Sequence, residues 1–210
     1  MGQRIIVQVV TTTVVMVFAM GIWLTGGTPE WGWLRFYSAA VTAAVILLTI
    51  WDHWLWHLPL IQRIPKVPRD LRGTWKGTLQ SFWINPETNL SPPVKSAYLV
   101  IRQSASSISI VLLTDESRSK SSLATISDDG TGTSLDYMYL NRPESRFEDR
   151  SRMHHGSTSL NVLGRPANRL RGSYWTNRDS KGDLDFNEKT SFLADDFAEV
   201  NSLFEHRRQS

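Results

Sequence analysis

Two kinds of pattern divide the chain. Near the N-terminus, Ile5 to Leu24 and Leu34 to Trp51 are apolar runs, charge-free apart from Arg35. Each is long enough to cross a hydrocarbon core of about 30 Å as a helix. From Leu71 onward apolar and polar residues tend to alternate, the period of half-buried strands, with turn residues between the segments. The alternation predicts strands at 71–84, 95–104, 107–115, 119–127, 133–140, 155–163, 169–177 and 183–190. Turns are signalled by Asn85–Pro86, Pro92–Pro93, Asp128–Asp129–Gly130, Arg142–Pro143, Gly164–Arg165–Pro166 and Asp179–Ser180–Lys181–Gly182.

The pattern gives a membrane-anchored all-β protein. Two transmembrane helices precede an eight-stranded antiparallel up-and-down barrel, with a two-sheet sandwich as the structural alternative. The division is 1–57 for the hairpin, 58–70 for a short linker stiffened by Pro59, Pro65 and Pro68, and 71–210 for the ligand-binding barrel. Near the end, Leu193, Phe197, Val200 and Phe204 follow helical spacing, with Asp195 and Asp196 early and Arg207 and Arg208 late. That order suits the dipole of a short C-terminal helix.

The first run is long for a signal peptide, has no small-residue cleavage site after it, and is followed at once by a second span. Gly26, Gly27 and Pro29 mark the turn between the spans. Trp23, Trp31 and Trp33 cluster at one boundary and Trp51, Trp54 and Trp56 at the other, as interfacial belts do. Arg4 precedes the first span, and Arg63, Lys66, Arg69 and Arg72 follow the second. This bias puts both termini and the barrel of a multi-pass membrane protein in the cytoplasm. In the second span Ala39 and Ala43, and Ala40 and Ala44, permit close helix packing, while Gln8 and Thr12 share a face of the first. Asp52, His53 and His57 at the inner boundary read as snorkelling polar groups rather than metal ligands.

Charge narrows the function. The formal net charge is +3, but residues 1–69 hold five basic and two acidic side chains, leaving 18 of each sign afterwards. A formally neutral barrel does not suit a DNA or RNA polymer. Cysteine is absent, which excludes disulfides and thiolate metal sites. No nucleophile–base set, calcium loop or Walker-type glycine loop is present, so the reading is a binding protein with no catalytic residues, metal or cofactor.

Candidate ligand contacts come from shared strand faces. Tyr174, Thr176 and Arg178 lie on one face and offer a stacking ring, a hydroxyl and a phosphate-compatible fork. Tyr137 and Tyr139 share a face of the fifth strand. Gln103 is a polar group in the apolar row Ala97, Leu99, Ile101, and Thr114 ends the row Ile108, Ile110, Leu112. Ser117, Ser119 and Ser121 alternate along the next segment. Hydroxyls, one amide and aromatic rings suit a polar ligand with flat bases better than a fatty one. Trp75, within Gly73-Thr74-Trp75-Lys76-Gly77, reads as a core plug more readily than as a ligand platform. Arg178 has two equal readings, a pocket residue or a latch stacked on Trp75.

Two spans, a short linker, Leu71-Arg72-Gly73-Thr74-Trp75-Lys76-Gly77, the Gln103 and Thr114 strands, the serine run, and Gly172-Ser173-Tyr174-Trp175-Thr176-Asn177-Arg178 with Gly182-Asp183 occur in order. In this the chain resembles the SMODS-associated two-transmembrane, β-strand-rich effectors of bacterial CBASS antiphage systems. The bulky pair Tyr174–Trp175 departs from the milder aromatic expected there. The resemblance implies a minimal barrel that binds a cyclic di- or oligonucleotide made by a partner synthase. Ligand then drives homo-oligomerisation of the spans in the bilayer, disruption of the inner membrane and abortive infection. The competing readings are a lipocalin-like barrel carrying an apolar ligand and a ligand-free scaffold.

Overall fold

The computed structural model describes residues 3–24, 26, 33–64, 67–86, 88–148 and 152–209. The chain forms two compact units.

The first unit is helical. Helix α1 spans Gln3–Leu24 and α2 spans Trp33–Ile50, and the two pack together. A π-helical turn, Trp51–Leu55, prolongs α2. The stretch Ser38–Leu55 is long and apolar enough to cross a membrane, and Val10–Leu24 is a shorter apolar stretch. Ala40, Ala44 and Gly21 are buried, whereas Val15, Met16, Met20, Val41, Val45 and Ile46 are exposed. Small residues thus mark the buried side and large apolar ones the outside, inverse to a soluble helical pair. Ala39 and Thr12 face outward. The side chains of Gln8, Arg207 and Arg208, and residues 27–32, 65 and 66, lie outside what is described.

The second unit is a closed barrel of eight antiparallel strands in sequence order. They are β1 (Gly73–Ser81), β2 (Lys95–Gln103), β3 (Ile108–Leu113), β4 (Ser117–Asp128), β5 (Thr133–Pro143), β6 (His154–Leu163), β7 (Arg169–Thr176) and β8 (Lys181–Thr190). Closure comes from β1, which pairs with β2 on one edge and with β8 on the other. The β1–β8 register shifts between Lys76 and Gly77. Gly77 is required there, because a Cβ would sit 2.1 Å from the Asp185 carbonyl oxygen. The Gly-Thr-Trp-Lys-Gly run is therefore a closure seam as well as a plug.

Inward residues form one continuous core: Trp75, Leu99, Ile101, Ile110, Leu135, Leu160, Leu170, Leu184 and Phe186 among them. Trp75 is fully buried, and its Nε1 donates to the Leu71 carbonyl at 2.9 Å. The arginine latch on this ring is not formed. Lys189 supplies the cation instead, its Nζ 4.9 Å from the ring centroid and donating to the Asp70 carbonyl at 3.2 Å. Register explains the difference: Trp75 pairs with Lys189 across the seam, while Arg178 lies in the β7–β8 turn at the far end.

A second cluster sits on the outside of β2 and β3. Tyr98, Val100, Val111 and Leu113 pack against Ala194, Val200 and Phe204, the last two from helix α3 (Phe197–Gln209). Tyr98 stacks on Phe204 with centroids 5.7 Å apart and donates from its hydroxyl to Asn201 Oδ1 at 2.9 Å. Asp196 Oδ1 accepts from the Glu199 amide at 2.8 Å, and Glu199 Oε2 accepts from the Asp195 amide at 2.8 Å. This reciprocal capping fixes the helix start after Leu193. Leu193 is therefore outside the helix and 40% exposed, and Ala194 takes the buried place.

The first strand also ends earlier than alternation suggests. Ser81 is its last residue, and Phe82, Trp83 and Ile84 are exposed in the following loop. The Ser81 hydroxyl accepts from the Trp83 amide at 3.3 Å, turning the chain off the sheet.

Because Trp75 fills the closed end, Trp75→Ala should destabilise the barrel by about 3–5 kcal/mol. Chemical denaturation of the full chain, followed by barrel aromatic signals, checks this. A loss under about 1 kcal/mol would mean that the plug is not part of the core.

Candidate functional site

The two ends of the barrel differ chemically. At the end that receives the chain, Gln103 closes the floor. Its Oε1 accepts from the Leu71 amide at 3.0 Å and its Nε2 donates to the Arg69 carbonyl at 2.9 Å. Gln103 and Trp75 thus belong to the closed end, apart from the other candidates.

At the opposite end, the inward positions of β5, β6 and β7 carry Tyr137, Tyr139, Asn141, Thr158 and Tyr174, all buried. The tyrosines sit where they do because β5 and β7 alternate: Tyr174 points inward while Trp175 is exposed, as its position in the sequence suggests. Tyr139 needs Gly156 opposite it, since a Cβ there would lie 2.4 Å from the Tyr139 ring carbon Cζ. The Tyr137 and Tyr139 ring centroids are 6.0 Å apart at an angle of 49°.

Thr176 and Thr114 shape turns at this rim. Thr176 Oγ1 lies 2.7 Å from Ser180 Oγ and accepts from the Arg178 amide at 3.2 Å, so it sets the tight turn that carries Arg178. Thr114 Oγ1 accepts from the Ser117 amide at 3.1 Å and lies 3.2 Å from Ser117 Oγ. Ser119 is buried and donates to Asn141 Oδ1 at 2.8 Å. Lys95 and Glu116 form an ion pair at the same end of the barrel. The structure therefore brings Tyr137, Tyr139, Tyr174, Thr176, Thr114, Ser119 and Arg178 to one mouth.

Burial pushes the Tyr137 phenol up to about 12, offset in part by the Thr158 hydroxyl beside it. Burial also raises Tyr139, helped by Tyr137 and Tyr174 and opposed by the charge of Arg178. Tyr174 is raised by burial, with the Ser81 hydroxyl opposing. All three are neutral phenols near pH 7, able to donate hydrogen bonds as well as to stack. Two of the buried hydroxyls, Tyr137 Oη and Thr158 Oγ1, lie side by side and have no other hydrogen-bond partner among the described residues. Burial without a partner costs about 1–3 kcal/mol per group. A ligand atom that bonds them recovers that cost.

Asn141, Thr158 and His154 were not among the sequence candidates. Asn141 continues the Tyr137–Tyr139 row by one step and was legible from alternation alone. Thr158 and His154 become visible only once the β5–β6 register aligns them with Tyr137 and Asn141.

Two grooves lie on the outer surface, away from the mouth. One of about 530 Å³ is lined by Thr131, Asn161, Arg171, Ser173 and Asp183. Another of about 600 Å³ runs beside α3, past Phe192, Leu203 and His206. No cluster of three or more metal-ligating side chains occurs among the described residues.

Residues 65–188 match the family model described as "Cap15, cyclic dinucleotide receptor domain". A curated relative, the CD-NTase-associated protein 15 of Staphylococcus schleiferi, is 29% identical over 153 residues, which is 73% of this chain and 79% of the relative.

The paired hydroxyls give a prediction about the free protein. The double variant Tyr137→Phe/Thr158→Val should leave the melting temperature unchanged or slightly raised, since it removes two buried polar atoms that have only each other among the described residues. A loss of more than about 1 kcal/mol in the double variant would mean that the hydroxyls have a further partner.

Proposed function

This chain belongs to the Cap15 cyclic dinucleotide receptor domain family, and from that membership we propose that it is an antiphage defence effector whose barrel binds a cyclic dinucleotide at its tyrosine-lined mouth. The observation that carries this reading is the pair of buried hydroxyls on Tyr137 and Thr158, which among the described residues have only each other as polar neighbours, set below a rim that holds Arg178. Rings of Tyr139 and Tyr174 suit flat bases, their neutral phenols suit base edges and phosphate oxygens, and Arg178 suits a phosphate. An apolar ligand would leave those hydroxyls with no partner but each other.

Ligand supply follows from the chemistry. A cyclic dinucleotide is made by a nucleotidyltransferase, and the relative carries the name of a protein associated with one. The protein is then a receptor coupled to a synthase, with no catalytic step of its own.

Membrane action is the second half of the proposal. The exposed apolar faces of α1 and α2 support a bilayer setting, with the barrel on the cytoplasmic side of the bacterial inner membrane. A ligand that favours one state of the barrel biases assembly only by its differential affinity for the two states. Homo-oligomerisation of the hairpins on binding, followed by loss of membrane integrity, is the output this arrangement supports.

The full chain in detergent should gain thermal stability with at least one member of a panel of cyclic di- and trinucleotides. The gain is about 2.7 kcal/mol when ligand is a hundredfold above Kd. Arg178→Ala should weaken binding tenfold or more while the ligand-free melting temperature stays put, since its side chain is exposed in a turn. An unshifted melt across the whole panel would overturn the reading.

A further inference from the structure

His154 stands at the start of β6 on the inward face it shares with Gly156, Thr158 and Leu160, half-buried at the mouth. Its pairing partner is Asn141 on β5. A polar row crosses three strands here: Ser119 Oγ donates to Asn141 Oδ1 at 2.8 Å, and the Asn141 amide lies 3.4 Å from His154 Nδ1. The same Nδ1 is 3.0 Å from the Arg152 carbonyl oxygen, which can only accept. The shorter contact takes the hydrogen on Nδ1; in that tautomer Asn141 Nδ2 is a polar neighbour and not a hydrogen-bond partner, and in the neutral ring Nε2 carries the lone pair. Nε2 has no hydrogen-bond partner among the described residues. Arg178 is close enough for its charge to act on both His154 and Tyr139.

We propose that His154 is a second phosphate contact at the mouth, donating from Nε2 to the anion that Arg178 attracts. The proposal rests on the reading of the mouth as the cyclic dinucleotide site and names the group that couples that site to pH.

In the free protein the ring is held neutral. Burial disfavours its charged form first; the Arg152 carbonyl opposes this, and Arg178 and His155 add to it. Among the described residues those are the groups that act on the ring from the β7–β8 turn, from β6 and from the preceding loop, and Asn141 on β5 is neutral. A phosphate placed between Arg178 and His154 reverses the balance, because it favours the charged ring. A proton then moves from solvent to Nε2 as the ligand binds, giving the N–H that donates to the phosphate.

The sign follows. The pKa of His154 in the free protein lies below the ordinary histidine value, and in the complex it is raised. Between those two values binding takes up a proton, so affinity rises as pH falls, by up to about tenfold per pH unit. Below the free-protein value and above the complex value the affinity is flat.

The test is calorimetric titration of the full chain in detergent with cyclic di-AMP, cyclic di-GMP, cyclic GMP–AMP and cyclic UMP–AMP. Titrations run from about pH 6 to pH 8 in buffers of different ionisation enthalpy, which count the protons taken up. Whichever ligand binds should bind about fivefold or more tightly at the acid end, with net proton uptake. His154→Gln should still bind but lose both the pH slope and the uptake, while His155→Gln, changed on the outward face, keeps both. Flat affinity with no proton uptake in the wild type, or an unchanged slope in His154→Gln, would overturn the role of His154 and leave the binding site standing. Failure of all four ligands to bind at any pH would overturn the site itself.

Discussion

Closure of the sheet is the constraint on which everything else depends. Once β1 pairs with β8 there is no free edge, and every second residue of eight strands must share one enclosed space. Gly77 permits this at the seam, where the Asp185 carbonyl leaves no room for a side chain. The space is then filled unequally. Trp75, Leu71 and Phe186 are fully buried in the core, and Gln103 bonds the entering chain beside them. At the other end the fillers are phenols and hydroxyls. One end is a floor, and the other is a surface that can exchange partners.

That asymmetry joins structure to function. A wholly apolar lumen would store a lipid or nothing. Here the apolar floor anchors the barrel while the polar end concentrates neutral phenols, buried hydroxyls and a cation toward one rim. Helix α3 is kept off this end, because it docks on the outer faces of β2 and β3 through Tyr98 and Phe204. The helical unit has the opposite surface logic, small residues buried and large apolar ones outside, which is the arrangement a bilayer stabilises. The proposed sensor and the proposed output thus lie in separate units.

Much of the fold was legible because most strands alternate; β2 and β3 do not, since α3 covers their outer faces. The pattern in Tyr137–Tyr139 and in Tyr174–Trp175 assigns faces correctly without knowledge of any neighbour. What alternation cannot supply is which end of the lumen a residue occupies, since that depends on the register of all eight strands together. Gln103, Trp75 and Arg178 all read as plausible lumen residues, yet the first two are at the floor and the third is at the rim. The same gap hid the partner of Trp75: Lys189 is distant in sequence and meets the ring only through the β1–β8 seam. His154 was passed over for a related reason. Its significance comes from Asn141 and Ser119 on neighbouring strands, which no local spacing reveals. Leu193 fitted the helical period, but the capping pair Asp196–Glu199 starts the helix after it.

Photocrosslinking locates the ligand most directly. An azido-adenine cyclic dinucleotide, bound to the full chain, irradiated and mapped by mass spectrometry, should label peptides at the mouth, around Tyr137–Asn141, His154–Thr158 and Tyr174–Arg178. Labelling confined to the outer groove near Thr131 and Arg171, or to the groove beside α3, would contradict a receptor that reads its messenger through the open end of the barrel.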